Sequence, residues 1–255
     1  MTWRVLVVLG GISVALLGAC GDDDGESANA DDSASPTTDE PTTTSTKSGG
    51  PPDCMDGARP LDIGGGRVAA VHGDGPSAVV LVNQIEDAPC RWTEFAARVA
   101  DGGRRVVLWS YGTRDPAERQ AAVTAAIDAT RADGAEHVVL IGASIGAGYA
   151  LESAAAANPP IDGVIALSPG AEPGERARQV SGLGSLTAAV LAVASKGDAG
   201  STPAVAQSLL DAAASADEEL LALAGDTHGI ALVTGPTAAE VLPSVEAFLA
   251  AHAPA

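Results

Sequence analysis

Residues 137–151 run from the apolar segment His137-Val-Val-Leu-Ile141, through Gly142-Ala143-Ser144-Ile145-Gly146, into an alanine-rich helical pattern. A strand that becomes a helix within five residues leaves almost no room at the turn. Glycine is therefore needed at 142 and 146, where a side chain would strike the neighbouring strand and helix. Ser144 falls between them, just ahead of a helix start whose free N–H groups and dipole carry partial positive charge. Such a unit belongs in a sheet of parallel strands with helices packed on it.

The rest of the chain repeats this alternation. Strands are expected at 67–72 (a weak edge strand), 78–83, 105–109, 137–141, 163–167, 188–193 and 220–223. The run 78–83 is continuously apolar, as a strand covered on both faces should be. Helical patterns cover 92–100, 116–132, the stretch after Ser144, 203–214 and 238–251. Phe95 and Val99 are spaced four apart, as are Val123 and Ile127, and Asp115-Pro116 fits an N-cap followed by proline at the first helical position. Regular β–α alternation implies right-handed crossovers, hence an α/β fold with a doubly wound, mostly parallel sheet flanked by helices.

Three organisational expectations precede the folded part. Arg4 and the apolar and small run 5–17 suit a signal peptide over 1–19 and are too short to span a bilayer comfortably. Leu17-Gly18-Ala19-Cys20-Gly21 resembles the lipobox of bacterial lipoproteins, which implies a lipid (palmitate-type) on Cys20 and an extracytoplasmic, membrane-anchored location. Residues 20–52, rich in Asp, Ser, Thr, Gly and Pro, lack the apolar surface to offset ordering and read as an acidic linker. The folded domain is then 53–255. The net charge of −19 argues against nucleic acid as a partner and against electrostatic binding to anionic lipid headgroups. With Cys20 assigned to lipid, Cys54 and Cys90 form an even pair suited to a disulfide in an exported protein. No Cys/His cluster has metal-ligand spacing, so neither a metal nor a cofactor is expected.

Ligands of doubly wound sheets sit beyond the carboxyl ends of the strands, so reactive groups should follow strands. A serine nucleophile needs a base and an acid to orient that base. Among the four histidines, His137 opens its strand, His72 lies in the edge hairpin and His252 is near the terminus. His228, in Gly225-Asp-Thr-His228-Gly229, directly follows the last predicted strand. Asp198 follows 188–193, whereas Asp162, Asp211 and Asp217 fall at the opposite end of the sheet. Asp226 is on the correct side but only two residues from His228, so it ranks second to Asp198.

The order Ser144…Asp198…His228, with the G-x-S-x-G turn, Gly-Asp after the penultimate strand and His-Gly after the last, resembles the α/β-hydrolase superfamily over nearly all of 53–255. The opening segment, with Asn83-Gln84 and Cys90-Arg-Trp92, is similar to small exported actinobacterial-type hydrolases. The resemblance implies acyl transfer through Ser144, with an oxyanion hole formed by the backbone N–H of Ile145 and that of Gln84 or Ile85. The superfamily commonly has His-Gly where this chain has Asn83-Gln84. Few residues separate 167 from 188, so an open site with minimal or no lid is expected. Low aromatic content (3%) favours small ester-type substrates with short acyl groups. Two alternatives share the scaffold: a non-catalytic cell-surface binding protein with a degraded site, and a peptide or lactone hydrolase. A Rossmann-type nucleotide site is disfavoured, because the glycine spacing around 142–148 is not G-x-G-x-x-G.

Overall fold

The computed structural model describes residues 52–170 and 180–255. The predicted signal peptide, Cys20 and all but the last residue of the linker lie outside the described residues, as do 171–179 of the segment expected to lack a lid. The chain divides into Met1–Thr46 and Lys47–Ala255, and the fold is that of the second unit.

Eight strands form one sheet: β1 (Arg59–Pro60), β2 (Ala69–His72), β3 (Ser77–Val82), β4 (Arg105–Trp109), β5 (His137–Ala143), β6 (Gly163–Leu167), β7 (Ala189–Ser195) and β8 (Glu218–Leu223). Their spatial order is β1-β2-β4-β3-β5-β6-β7-β8. β1 and β2 are antiparallel to their neighbours; β4 through β8, with β3 among them, are mutually parallel. The helices are α1 (Thr93–Asp101), α2 (Pro116–Ala132), α3 (Ile145–Ala156), α4 (Pro203–Leu210), α5 (Ala231–Thr234) and α6 (Ala238–His252).

The period-two alternation of the strands decides which core each side chain joins. Val80 and Val82 of β3 enter the core beneath α2, α3 and α4, with Val123, Ile127 and Leu209. Val79 and Leu81 point the other way, to Phe95, Val99, Val245 and Phe248 of α1 and α6. Each such side chain, fully buried, contributes about 1.5–3 kcal/mol, which is why a continuous apolar run is stable only with helices on both faces.

Local signals set the helix starts. Asp115 caps α2 by accepting from Glu118 N at 2.9 Å, and Pro116 occupies the first helical position. α3 is buried along most of its length, its Gly146, Ala147, Gly148 and Ala150 letting it sit close to the sheet. The Cys54–Cys90 disulfide is present, with Cα atoms 5.3 Å apart and a sequence separation of 36. It joins the turn Asp53–Met55 to the turn Pro89–Trp92, pinning the chain just after β3.

Most boundaries shift by one or two residues, and three differences from expectation have a physical reason. The strand over 67–72 is internal, because Arg59 and Pro60 add an outer strand too short to show any periodicity. α4 stops at Leu210 rather than 214; Ala212 N and Ala213 N fold back onto Leu209 O and Leu210 O in a turn. β8 starts at the exposed Glu218, two residues early, since an edge strand does not need apolar residues at every position.

Candidate active site

The fold brings the carboxyl ends of β5, β6, β7 and β8 side by side, and the loops that leave them carry the candidate residues. Ser144 has φ 56° and ψ −123°, a conformation that L-residues adopt only at a cost of about 1–3 kcal/mol. Two contacts of its own peptide groups hold it: Ser144 N donates to Leu167 O at 2.9 Å, and Ala147 N donates to Ser144 O at 3.0 Å. Both flanking glycines are sterically required. A Cβ at Gly142 would stand 2.3 Å from Gly146 O, and one at Gly146 would stand 2.3 Å from Asn83 O.

His228 Nδ1 lies 2.7 Å from Asp198 Oδ2. The acid is largely enclosed, with its side chain 10% exposed, whereas the imidazole is 43% exposed. A carboxylate there fixes the ring so that Nδ1 carries the proton and Nε2 is free to accept one. Asp226 makes no such contact. Two of the other three histidines are engaged away from this point: His137 Nδ1 meets Asp162 Oδ1 at 2.8 Å, and His252 Nε2 meets Asp217 Oδ2 at 3.3 Å. No hydrogen bond joins Ser144 Oγ to His228 Nε2 among the described residues. Such contacts are often long in unliganded sites and shorten when substrate binds.

Three hydrogen bonds not foreseen from the sequence hold the His228 loop. Ser195 Oγ donates to Thr227 O at 2.8 Å, Gly229 N donates to Ser168 Oγ at 2.9 Å, and Ile230 N donates to Gln84 Oε1 at 2.8 Å. Gly229 has φ 61°, and a Cβ there would lie 2.0 Å from Gln84 Oε1 and 3.8 Å from the Ala143 methyl. The loop of the histidine thus packs against the residue that precedes Ser144.

The segment after β3 is built as firmly. Asn83 is buried; its Nδ2 donates to Trp109 O at 2.6 Å and its Oδ1 accepts from Trp92 Nε1 at 3.1 Å. Tyr111 OH donates to Asn83 O at 2.7 Å, and burial raises its hydroxyl pKa far above the ordinary range, so it stays a donor. Asp87, at φ 51°, accepts from Asn83 Nδ2, Ser110 Oγ, Tyr111 N and Gly112 N. These polar residues at a strand end were visible in the sequence, but their partners were not. The turn closes with Asp87 N donating to Gln84 O at 3.1 Å. The backbone N–H groups of Ile85 and Ile145 have no acceptor among the described residues. The Glu86 carboxyl is held below its ordinary pKa chiefly by its own backbone N–H, against the opposing effect of burial, with Gln84, Arg91 and His228 adding to the lowering.

Ile85 and Ile145 border an open cavity of about 880 Å³, with Tyr149 and Pro116 as further apolar walls. Ile85 is the one large hydrophobic side chain left exposed among the described residues, at 64%. Arg114 and Arg119 also line this cavity. No cluster of three His, Cys, Asp or Glu side chains suited to a metal ion occurs among the described residues.

No protein-family model matches the sequence, and no curated protein matches it. Solved structures do match in fold. The monoacylglycerol lipase of Paleococcus ferrophilus aligns with a TM-score of 0.62 at 16% identity, over 73% of this chain and 99% of that one. The proline iminopeptidase of Mycobacterium smegmatis aligns at 0.58 and 15% identity, over 76% and 98%. The enol-lactonase of Burkholderia xenovorans aligns at 0.59 and 14% identity, over 74% and 99%. The chain has the α/β-hydrolase fold.

Proposed function

We propose that this protein is a serine hydrolase that cleaves carboxylic ester-type substrates through an acyl-enzyme on Ser144. The observation that carries the reading is the 2.7 Å contact between His228 Nδ1 and Asp198 Oδ2, in a loop packed against the elbow that presents Ser144. In the first step His228 Nε2 takes the Ser144 proton while Oγ attacks the carbonyl carbon. The oxyanion meets the N–H groups of Ile145 and of Ile85, with Gln84 the other candidate for the second donor, each worth about 3 kcal/mol in the transition state. Collapse breaks the ester C–O bond, and the alcohol leaves with the proton from His228. Water then attacks the acyl-enzyme with His228 again as base, releasing the acid and restoring Ser144.

Asn83 and Gln84 stand where the superfamily commonly has His-Gly, and their side chains tie the turn to Trp109 O and to Ile230 N. Ester rather than peptide cleavage is part of the proposal; it rests on the low aromatic content of the chain (3%), which favours small ester-type substrates. Membrane attachment through a lipid on Cys20, on the outer face of the cell membrane, completes the reading; it rests on the sequence of 1–21.

A fluorophosphonate probe should label the wild-type protein and not Ser144→Ala. Hydrolysis of 4-nitrophenyl butyrate should fall by about 10³-fold or more in His228→Ala. Unchanged turnover in His228→Ala would sink the proposed triad, and an unlabelled wild type would favour the non-catalytic binding protein.

A further inference from the structure

The cavity that Ile145, the residue after Ser144, borders is lined by four charged side chains, and they are not equivalent. Both carboxylates are committed. Asp87 accepts four hydrogen bonds from Asn83, Ser110, Tyr111 and Gly112, and Glu86 faces Gln84 Nε2 at 3.2 Å and Arg91 Nη1 at 3.6 Å. Among the described residues, neither cation is paired with a carboxylate. Arg119 is only 5% exposed, yet its guanidinium is met by carbonyls and a ring alone: Nε donates to Thr113 O at 2.9 Å, Nη2 donates to Ile85 O at 3.2 Å, and the group stacks 4.9 Å from the centre of Tyr111. Arg114 makes no ion pair or hydrogen bond with the described residues.

A buried guanidinium without a counter-charge is costly, and natural proteins ordinarily pair it. The cost is offset when the charge serves a ligand. Here it lies in a molecule of net charge −19, which makes an unpaired pair of cations at one cavity more conspicuous. Arg119 also holds Ile85 O, so the residue that would receive an anion is tied to the turn that supplies a proposed oxyanion donor.

We propose that this cavity binds a carboxylate on the acyl portion of the substrate, making half-esters of dicarboxylic acids the substrate class, with Arg119 and Arg114 as the specificity-determining residues. The inference rests on Ser144 chemistry for turnover but not for binding. Arg119 supplies the planar fork that suits a carboxylate, and its orientation is fixed by the two carbonyls. Arg114, exposed, supplies a second charge whose effect weakens with salt.

Two measurements on the full-length protein separate the two readings. The first compares kcat/KM for mono-4-nitrophenyl adipate with that for 4-nitrophenyl hexanoate, which has the same acyl length and no charge. The anionic ester should be preferred by about tenfold or more at low salt. That preference should collapse in Arg114→Gln and in Arg119→Gln and return in Arg114→Lys. The second is calorimetric titration of Ser144→Ala with monomethyl adipate, with binding lost on adding Arg114→Gln. Equal or reversed ester preference, with no binding of monomethyl adipate, overturns the anion site while leaving the hydrolase intact. Binding without turnover of either ester sustains the anion site and overturns the hydrolase.

Discussion

Gln84 shows how one side chain can join two loops that sequence keeps apart. Its Oε1 accepts from Ile230 N across 146 positions, and Gly229 leaves the space that this contact occupies. Gly229→Ala should therefore displace Gln84 and leave the buried Ile230 N–H unpaired, destabilising the protein by about 1–3 kcal/mol. Gln84→Ala should do similar damage alone. In the double variant the clash is gone, so the two effects should fall short of additivity by about 1 kcal/mol or more in urea unfolding. Strict additivity would refute the coupling. The sequence exposed Ser144, Asp198 and His228 because strand ends and turn glycines are local signals. The partners of Gln84, Asp87 and Arg119 were hidden, since a hydrogen bond between distant residues leaves no spacing to detect.

Helices and strands were legible wherever burial imposed a period. β1 was not, for two residues have none; it pairs with β2, and a charge contact adds to that pairing. Arg59 grips Asp133, the residue that ends α2, with contacts of 2.6 and 2.5 Å, while Arg105 Nη1 of β4 donates to Asp133 O at 2.7 Å. The hydrogen bonds from Arg59 hold the Asp133 carboxyl below its ordinary pKa, with burial opposing and the charges of Arg59 and Arg105 assisting. A depressed pKa means that the unfolded chain takes up the proton first. The stabilisation is complete above the ordinary aspartate value of about 3.9 and is lost as pH falls through the lower folded value. Asp133→Asn should thus melt below the wild type near neutrality, and the gap should narrow as pH drops below about 4. A gap of constant size from roughly pH 2 to 7 would assign the loss to packing instead.

At the scale of the whole molecule, the proposed lipid on Cys20 would set where the protein works, and no helix among the described residues is long and apolar enough to cross a membrane. Expressed in a bacterium that processes lipoproteins, the wild type should sediment with membranes and Cys20→Ala should not; co-sedimentation of both would remove the anchor. The sequence by itself determined the layered architecture, because alternating apolar runs and amphipathic stretches can bury their faces in few other ways. It also put Ser144, Asp198 and His228, the proposed nucleophile, acid and base, in order, since each follows a strand and parallel strands share one carboxyl end. The sequence ranked Asp198 ahead of Asp226, and the tertiary structure added the 2.7 Å contact of Asp198 Oδ2 with His228 Nδ1, a distance no spacing could give. It alone showed Arg119 buried, with no counter-charge among the described residues, at the cavity that Ile145 borders, because the environment of a charge is made by residues that meet only when the chain has folded.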